Sequence, residues 1–276
     1  MSLPGNSQDY FKIFFFILML TFLANQNAFS QNKSLATEED KLAKLYSKML
    51  SFTHVSYDSI EGYSNKFEKE FTRFIQNNPG TLKYPFEKFS DSSICAVETS
   101  SDGNFRIYTW DTWVGGTQHF YKAIYQWKAN GKVFTKVPAI EDGDGGEDCS
   151  AMYTVTINNK PYYLAVMNSI GSTMYGGQSV SAFTIDGNKL NDTVKLFKTR
   201  TAKLNRIHIG FEFASIEDQR ELIVYDSKLK IVYIPLVDEH QKVTKKNLLY
   251  QLKGHYFIYI GVETGWRRTS NAIDMK

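Results

Sequence analysis

Residues 100–111 read SSDGNFRIYTWD, and how this stretch folds decides the architecture. Asp102-Gly103 tolerates the positive φ of a tight hairpin turn, and Phe105 to Trp110 is an aromatic and β-branched run of strand length. The pattern returns at 156–168 (TINNKPYYLAVMN) and at 215–226 (SIEDQRELIVYD), each time a polar turn, a strand and then a polar residue. Asp111, Asn168 and Asp226 close these stretches about 57 residues apart. Further turns are expected at Asn130-Gly131 and Asp186-Gly187, with a weaker one at Glu217-Asp218. A Gly-Gly pair follows the strand in the first two units, at Gly115-Gly116 and Gly176-Gly177.

The expectation is a mainly β domain over 91–262, an antiparallel meander with propeller-like four-stranded repeats. Three units are too few to close a usual propeller, so a curved sheet, barrel or sandwich is the alternative arrangement of the same strands. His255 to Ile260 is apolar on both alternating faces and reads as a central strand covered on both sides. Residues 263–276 read as a polar C-terminal tail, anchored by Trp266.

Upstream, 31–90 reads as helical. Leu42, Leu45, Tyr46, Met49 and Leu50 recur at helical spacing, with Thr37 as the expected N-cap. A second helix is expected from about Ser59, with Ile60, Tyr63, Phe67, Phe71, Phe74 and Ile75 on one face and NNPG at 77–80 as its stop. Each has one apolar stripe and one mixed-charge face, so each must pack on something.

Residues 1–30 read as a secretory signal peptide. Lys12 precedes an apolar run of 11 residues, Ile13 to Leu23, and Ala28-Phe29-Ser30 fits the small-x-small cleavage rule. The run falls short of the roughly 20 residues a membrane-spanning helix needs. A secreted or periplasmic protein with no membrane span after cleavage is the expectation. A formal charge of +3 without a basic block excludes nucleic acid as the expected partner, and 42% apolar residues with 15% aromatics is the composition of a folded domain. Two cysteines in an exported chain point to a Cys95–Cys149 disulfide; the alternative is two small core side chains.

Two stretches carry candidate chemistry. In TWDTWVGGTQHFY, residues 109–121, Trp110, Asp111, Trp113 and His119 form a candidate ligand surface, joined by Asn168 and Tyr175 from the corresponding second loop. Aromatic faces stack on sugar rings while carboxylate and imidazole hold hydroxyls. In EDGDGGED, residues 141–148, five carboxylates crowd eight positions. An EF-hand frame begun at Asp142 fails, because positions 5, 6 and 12 are Gly146, Glu147 and Tyr153. The favoured reading is a solvated turn with no cofactor; the alternative is an irregular calcium cage from Asp142, Asp144, Glu147 and Asp148.

No G-x-S-x-G, H-E-x-x-H, Walker or C-x-x-C motif is present. The functional expectation is therefore an exported binding or interaction module for a glycan or small ligand, without catalysis. Its alternatives are a secreted glycan hydrolase using acids near Asp111 and Asp144, and a structural envelope protein that meets other envelope proteins.

Overall fold

The computed structural model describes residues 32–53, 55–141, 143–215 and 222–265. The segment 1–30 expected to be a signal peptide, Asp142, the expected turn at Glu217-Asp218 and the tail from Trp266 onward lie outside the described residues.

Two long helices come first. Helix α1 spans 32–50 and buries Leu42, Tyr46 and Met49, as their spacing requires. Thr37 is not its N-cap: the helix already runs through this position, and the Thr37 hydroxyl donates to the Lys33 carbonyl one turn back. Helix α2 (Tyr57–Asn77) is capped by Ser56, whose hydroxyl accepts from Ser59 N, and stops before Pro79. Ile60, Phe67, Phe71, Phe74 and Ile75 form its buried stripe. A 3₁₀ turn (Pro79–Leu82) and a short helix α3 (Glu87–Asp91) complete the helical segment. Glu39, buried on α1, ties the segment together by accepting from Tyr84 Oη at 2.7 Å and Phe89 N at 3.1 Å.

The rest of the described chain is mainly β, in three sheets. The first is a four-stranded meander of β1 (Ala96–Thr99), β2 (Phe105–Asp111), β3 (Tyr121–Ala129) and β4 (Lys132–Lys136). The second contains β5 (Asp148–Ile157), β6 (Lys160–Ile170), β7 (Tyr175–Asp186), the short β8 (Lys189–Asn191) on β7, and β11 (Arg206–Glu212). The third orders β10 (Lys203–Leu204), β9 (Phe197–Lys198), β15 (Tyr256–Thr264), β14 (Val243–Lys253), β13 (Ile231–Val237) and β12 (Val224–Asp226). The first sheet has the sequential order of the expected four-stranded repeat. The other two differ from it: β11 returns to the open edge of β7, and β9 pairs with β15 in parallel.

The hairpin turns follow their sequence signals. Asn130 and Gly131 both have positive φ, as do Asn158 and Asn159, the requirement of a type I′ turn between twisted strands.

Strand alternation stacks these parts in chain order. On β2, Tyr108 and Trp110 face the helices and join Phe67, Phe71 and Phe89 in one aromatic core. Phe105 and Ile107, on the other face, pack against Tyr163, Ala165 and Met167 of β6. Leu164 and Val166, the alternate residues of β6, turn to the third sheet and meet Val232, Ile234 and Phe257. The second sheet is thus apolar on both faces, which explains the unbroken run YYLAVM in β6.

This layering overturns the disulfide. Cys95 and Cys149 are free, buried thiols. Cys95 belongs to the helix-side core and Cys149 to the core between the first two sheets, so the first sheet stands between their side chains. Each serves as a small apolar core residue. Burial pushes both thiols well above their ordinary pKa.

The last strand also departs from expectation. β15 is central in hydrogen bonding, flanked by β14 and β9, but only one face is covered: Phe257 is buried, while Ile260 and Val262 are 40% and 49% exposed.

Candidate functional site

At the end of β2 the apolar face between the first two sheets turns polar. Register explains how. Thr109 lies opposite Ala96 on β1 and Ala123 on β3, and Ile107 lies opposite Glu98. Glu98, Thr109 and Asp111 therefore share the face toward β5, which carries Asp148. The Thr109 hydroxyl donates to Asp148 Oδ1 at 2.7 Å and accepts from Cys149 N at 3.0 Å, locking β2 to the start of β5.

Here a cleft of about 460 Å³ opens, lined among others by Glu98, Asp111, Asp148, His119, Tyr121 and Trp113, with Tyr46 of α1 and the 93–96 segment closing one side.

The loop after β2 is tightly held. The Asp111 carboxylate is shared, Oδ2 bonding His119 Nδ1 and Oδ1 accepting from Trp113 N at 2.9 Å. That bond helps hold Trp113 at φ +57°, a left-handed conformation that a bulky residue adopts only under constraint. Trp113 Nε1 donates to Tyr46 Oη at 3.0 Å, and Tyr46 Oη donates to the Asp111 carbonyl at 3.0 Å. The His119 ring lies edge-on to Trp113, with centroids 5.7 Å apart, and stacks near Tyr121. Gly115 allows the loop to close, since a Cβ there would lie 2.2 Å from the Gln118 carbonyl oxygen and 2.3 Å from the Phe120 ring.

Electrostatically the cleft is strained. Burial, with the Asp148 charge second, pushes the Glu98 carboxyl up to about 7, although Arg106 pulls the other way. Asp148 is also raised by burial and by Asp111, against the hydrogen bond from Thr109. Burial raises the Tyr46 and Tyr121 phenols, and the negative charge of Asp111 adds to both. A buried carboxyl that holds its proton toward neutrality, beside two further carboxyl groups, can donate and accept hydrogen bonds to hydroxyl groups.

The sequence candidates divide. Asp111, Trp113 and His119 meet in the cleft, and Trp113 is 42% exposed. Trp110 borders the cleft but belongs to the helix-side core, 2% exposed, edge-on to Phe67 and Phe71. Asn168 shares the β6 face of Leu164 and Val166, away from the cleft, and accepts from Gln178 Nε2 at 2.7 Å. Tyr175 is exposed at the start of β7 and does not line the cleft. The two Gly-Gly loops nevertheless touch, through His119 N donating to the Ile170 carbonyl at 3.0 Å.

The acidic stretch packs under the same loop, with Tyr121 N donating to the Gly145 carbonyl at 2.6 Å. Its described carboxylates diverge. Asp144 Oδ1 accepts from Gly146 N in a local turn, Glu147 pairs with Arg206 at 2.6 Å and accepts from Ser179, and Asp148 turns to Thr109. Among the described residues no three His, Cys, Asp or Glu side chains converge in a metal-holding group. Asp144 lines a neighbouring hollow of about 310 Å³ with Glu147, Arg206 and His208, not the cleft of Asp111.

Sequence reasoning missed Glu98, Tyr46 and Tyr121. The one available signal for Glu98 was a lone charge inside the apolar run SICAVET; Tyr46 was hidden in a helical core stripe. No protein-family model and no curated protein matches the chain. Among the described residues no helix is long and apolar enough to cross a membrane.

Proposed function

We propose that the chain is an exported binding module that takes a saccharide in the cleft at the end of β2. The observation that carries this reading is the grouping of the half-exposed Trp113 ring with Asp111, His119 and Glu98 around a cavity of about 460 Å³, within the roughly 300–1,000 Å³ usual for ligand sites. An aromatic ring at the rim stacks on a sugar face, and carboxylates with an imidazole bond its hydroxyls. Export rests on the apolar run at 13–23.

A glycan array probed with the purified protein, followed by fluorescence titration of the retained sugars, tests the reading. Saturable binding weakened at least about tenfold by Trp113→Ala is expected; an array without signal overturns it.

A second reading, glycoside hydrolysis, has one observation in its favour. Glu98, whose carboxyl burial pushes up to about 7, shares the cleft with the carboxyl groups of Asp111 and Asp148, and a raised acid beside further carboxyl groups is what general acid–base chemistry uses. Release of reducing ends from a bound oligosaccharide, abolished in Glu98→Gln, distinguishes hydrolysis from binding alone.

A further inference from the structure

Three carboxylates line the cleft, and neither Lys nor Arg is among the described residues lining it. His119 bonds Asp111, which leaves Glu98 and Asp148 without a basic partner in the cleft. Arg106, whose charge acts on Glu98, lies on the opposite face of β2, where its guanidinium donates to the carbonyls of Thr81 and Tyr84 and to the Thr99 hydroxyl. The Thr109 hydroxyl supplies Asp148 with one hydrogen bond and no charge. Burial favours the protonated form of Glu98 and a cation beside it favours the ionised form, so a bound cation restores the charge that burial suppresses.

A second observation has different chemistry. Trp110, which borders the cleft, has the one buried side-chain nitrogen or oxygen among the described residues without a hydrogen-bond partner, its Nε1–H. An indole N–H only donates, so it calls for an oxygen acceptor that the protein does not supply. The aromatic rings of Tyr46, Tyr121 and Trp113 complete the walls, and such faces attract ammonium groups.

We infer that the ligand of this cleft is an amino sugar with a free amine, its ammonium held between Glu98 and Asp148 and one of its oxygens offered to the Trp110 indole N–H. This rests on the saccharide reading above and adds the charge of the ligand to it. The chain carries a formal charge of +3, so its overall field repels such a ligand and any preference for it has to arise in the cleft.

Calorimetric titration at neutral pH with three tetrasaccharides tests the inference: a glucosamine tetramer, its fully N-acetylated form and cellotetraose. The glucosamine tetramer is expected to bind at least about tenfold tighter than either neutral sugar, with the preference weakening as salt is raised. Glu98→Gln and Asp148→Asn are each expected to erase most of that preference by weakening the glucosamine tetramer far more than cellotetraose, in variants whose circular dichroism shows the native fold. Equal affinity for all three sugars overturns the amine inference and leaves the saccharide reading standing. A preference that survives both substitutions also overturns it, because the attraction then lies elsewhere. Failure of all three to bind removes both.

Discussion

The indole nitrogen of Trp113 and the phenol oxygen of Tyr46 are 3.0 Å apart across 67 residues of chain, and this bond fastens the cleft loop to the first helix. Tyr46→Phe removes the acceptor for Trp113 and the donor to the Asp111 carbonyl together. Denaturant unfolding is expected to show a loss of about 1–2 kcal/mol. Trp113 emission should shift red as the ring is released to water. An unchanged midpoint and spectrum would show that the loop holds itself without the helix.

The two glycines of the loop predict different outcomes. A Cβ at Gly115 runs into backbone and an aromatic ring, whereas one at Gly116 meets nothing within 4 Å and has to adopt φ +47°. Gly115→Ala should cost about 1–3 kcal/mol and abolish saccharide binding, because the loop cannot close around it. Gly116→Ala should cost about 1–2 kcal/mol and retain binding. Equal losses of binding in the two variants would contradict this account of the loop.

Both thiols are expected to be reduced and inaccessible. Thiol titration of the native protein should detect neither cysteine, and titration after unfolding should detect both. The thermal midpoint should be the same with and without reductant. A midpoint lowered by reductant would restore the disulfide.

Glu98 gives stability a definite pH dependence. Its folded value of about 7 lies above the ordinary 4.5, so between these values the folded protein keeps a proton that the unfolded chain has released. Unfolding free energy therefore falls as pH rises through that window, by at most about 3 kcal/mol from this group. Asp148, also raised, contributes with the same sign. Glu98→Gln, an uncharged stand-in for the protonated acid, should flatten the decline between pH 5 and 7. Parallel stability curves for the two proteins would show that Glu98 does not carry the effect.

The chain's own order determined the helices and the hairpins, because their causes are local. The apolar stripe Ile60, Phe67, Phe71, Phe74 and Ile75 needs only the helical repeat, and Asn130-Gly131 needs only the ease with which its residues take positive φ. Asp111, Trp113 and His119 were legible as a group for the same reason: one short loop contains all three. What tertiary structure alone decided is which side of a sheet each residue meets. Cys95 and Cys149 lie on opposite sides of the first sheet, Trp110 faces the helices while its neighbour Asp111 faces the cleft, and Asn168 turns away from it. Glu98, Asp148 and Tyr46 enter the site through strand register and contacts that span 39 to 67 residues, such as Thr109 with Asp148. A one-residue change of register reverses every side chain on a strand, and register is set by the packed cores of distant segments.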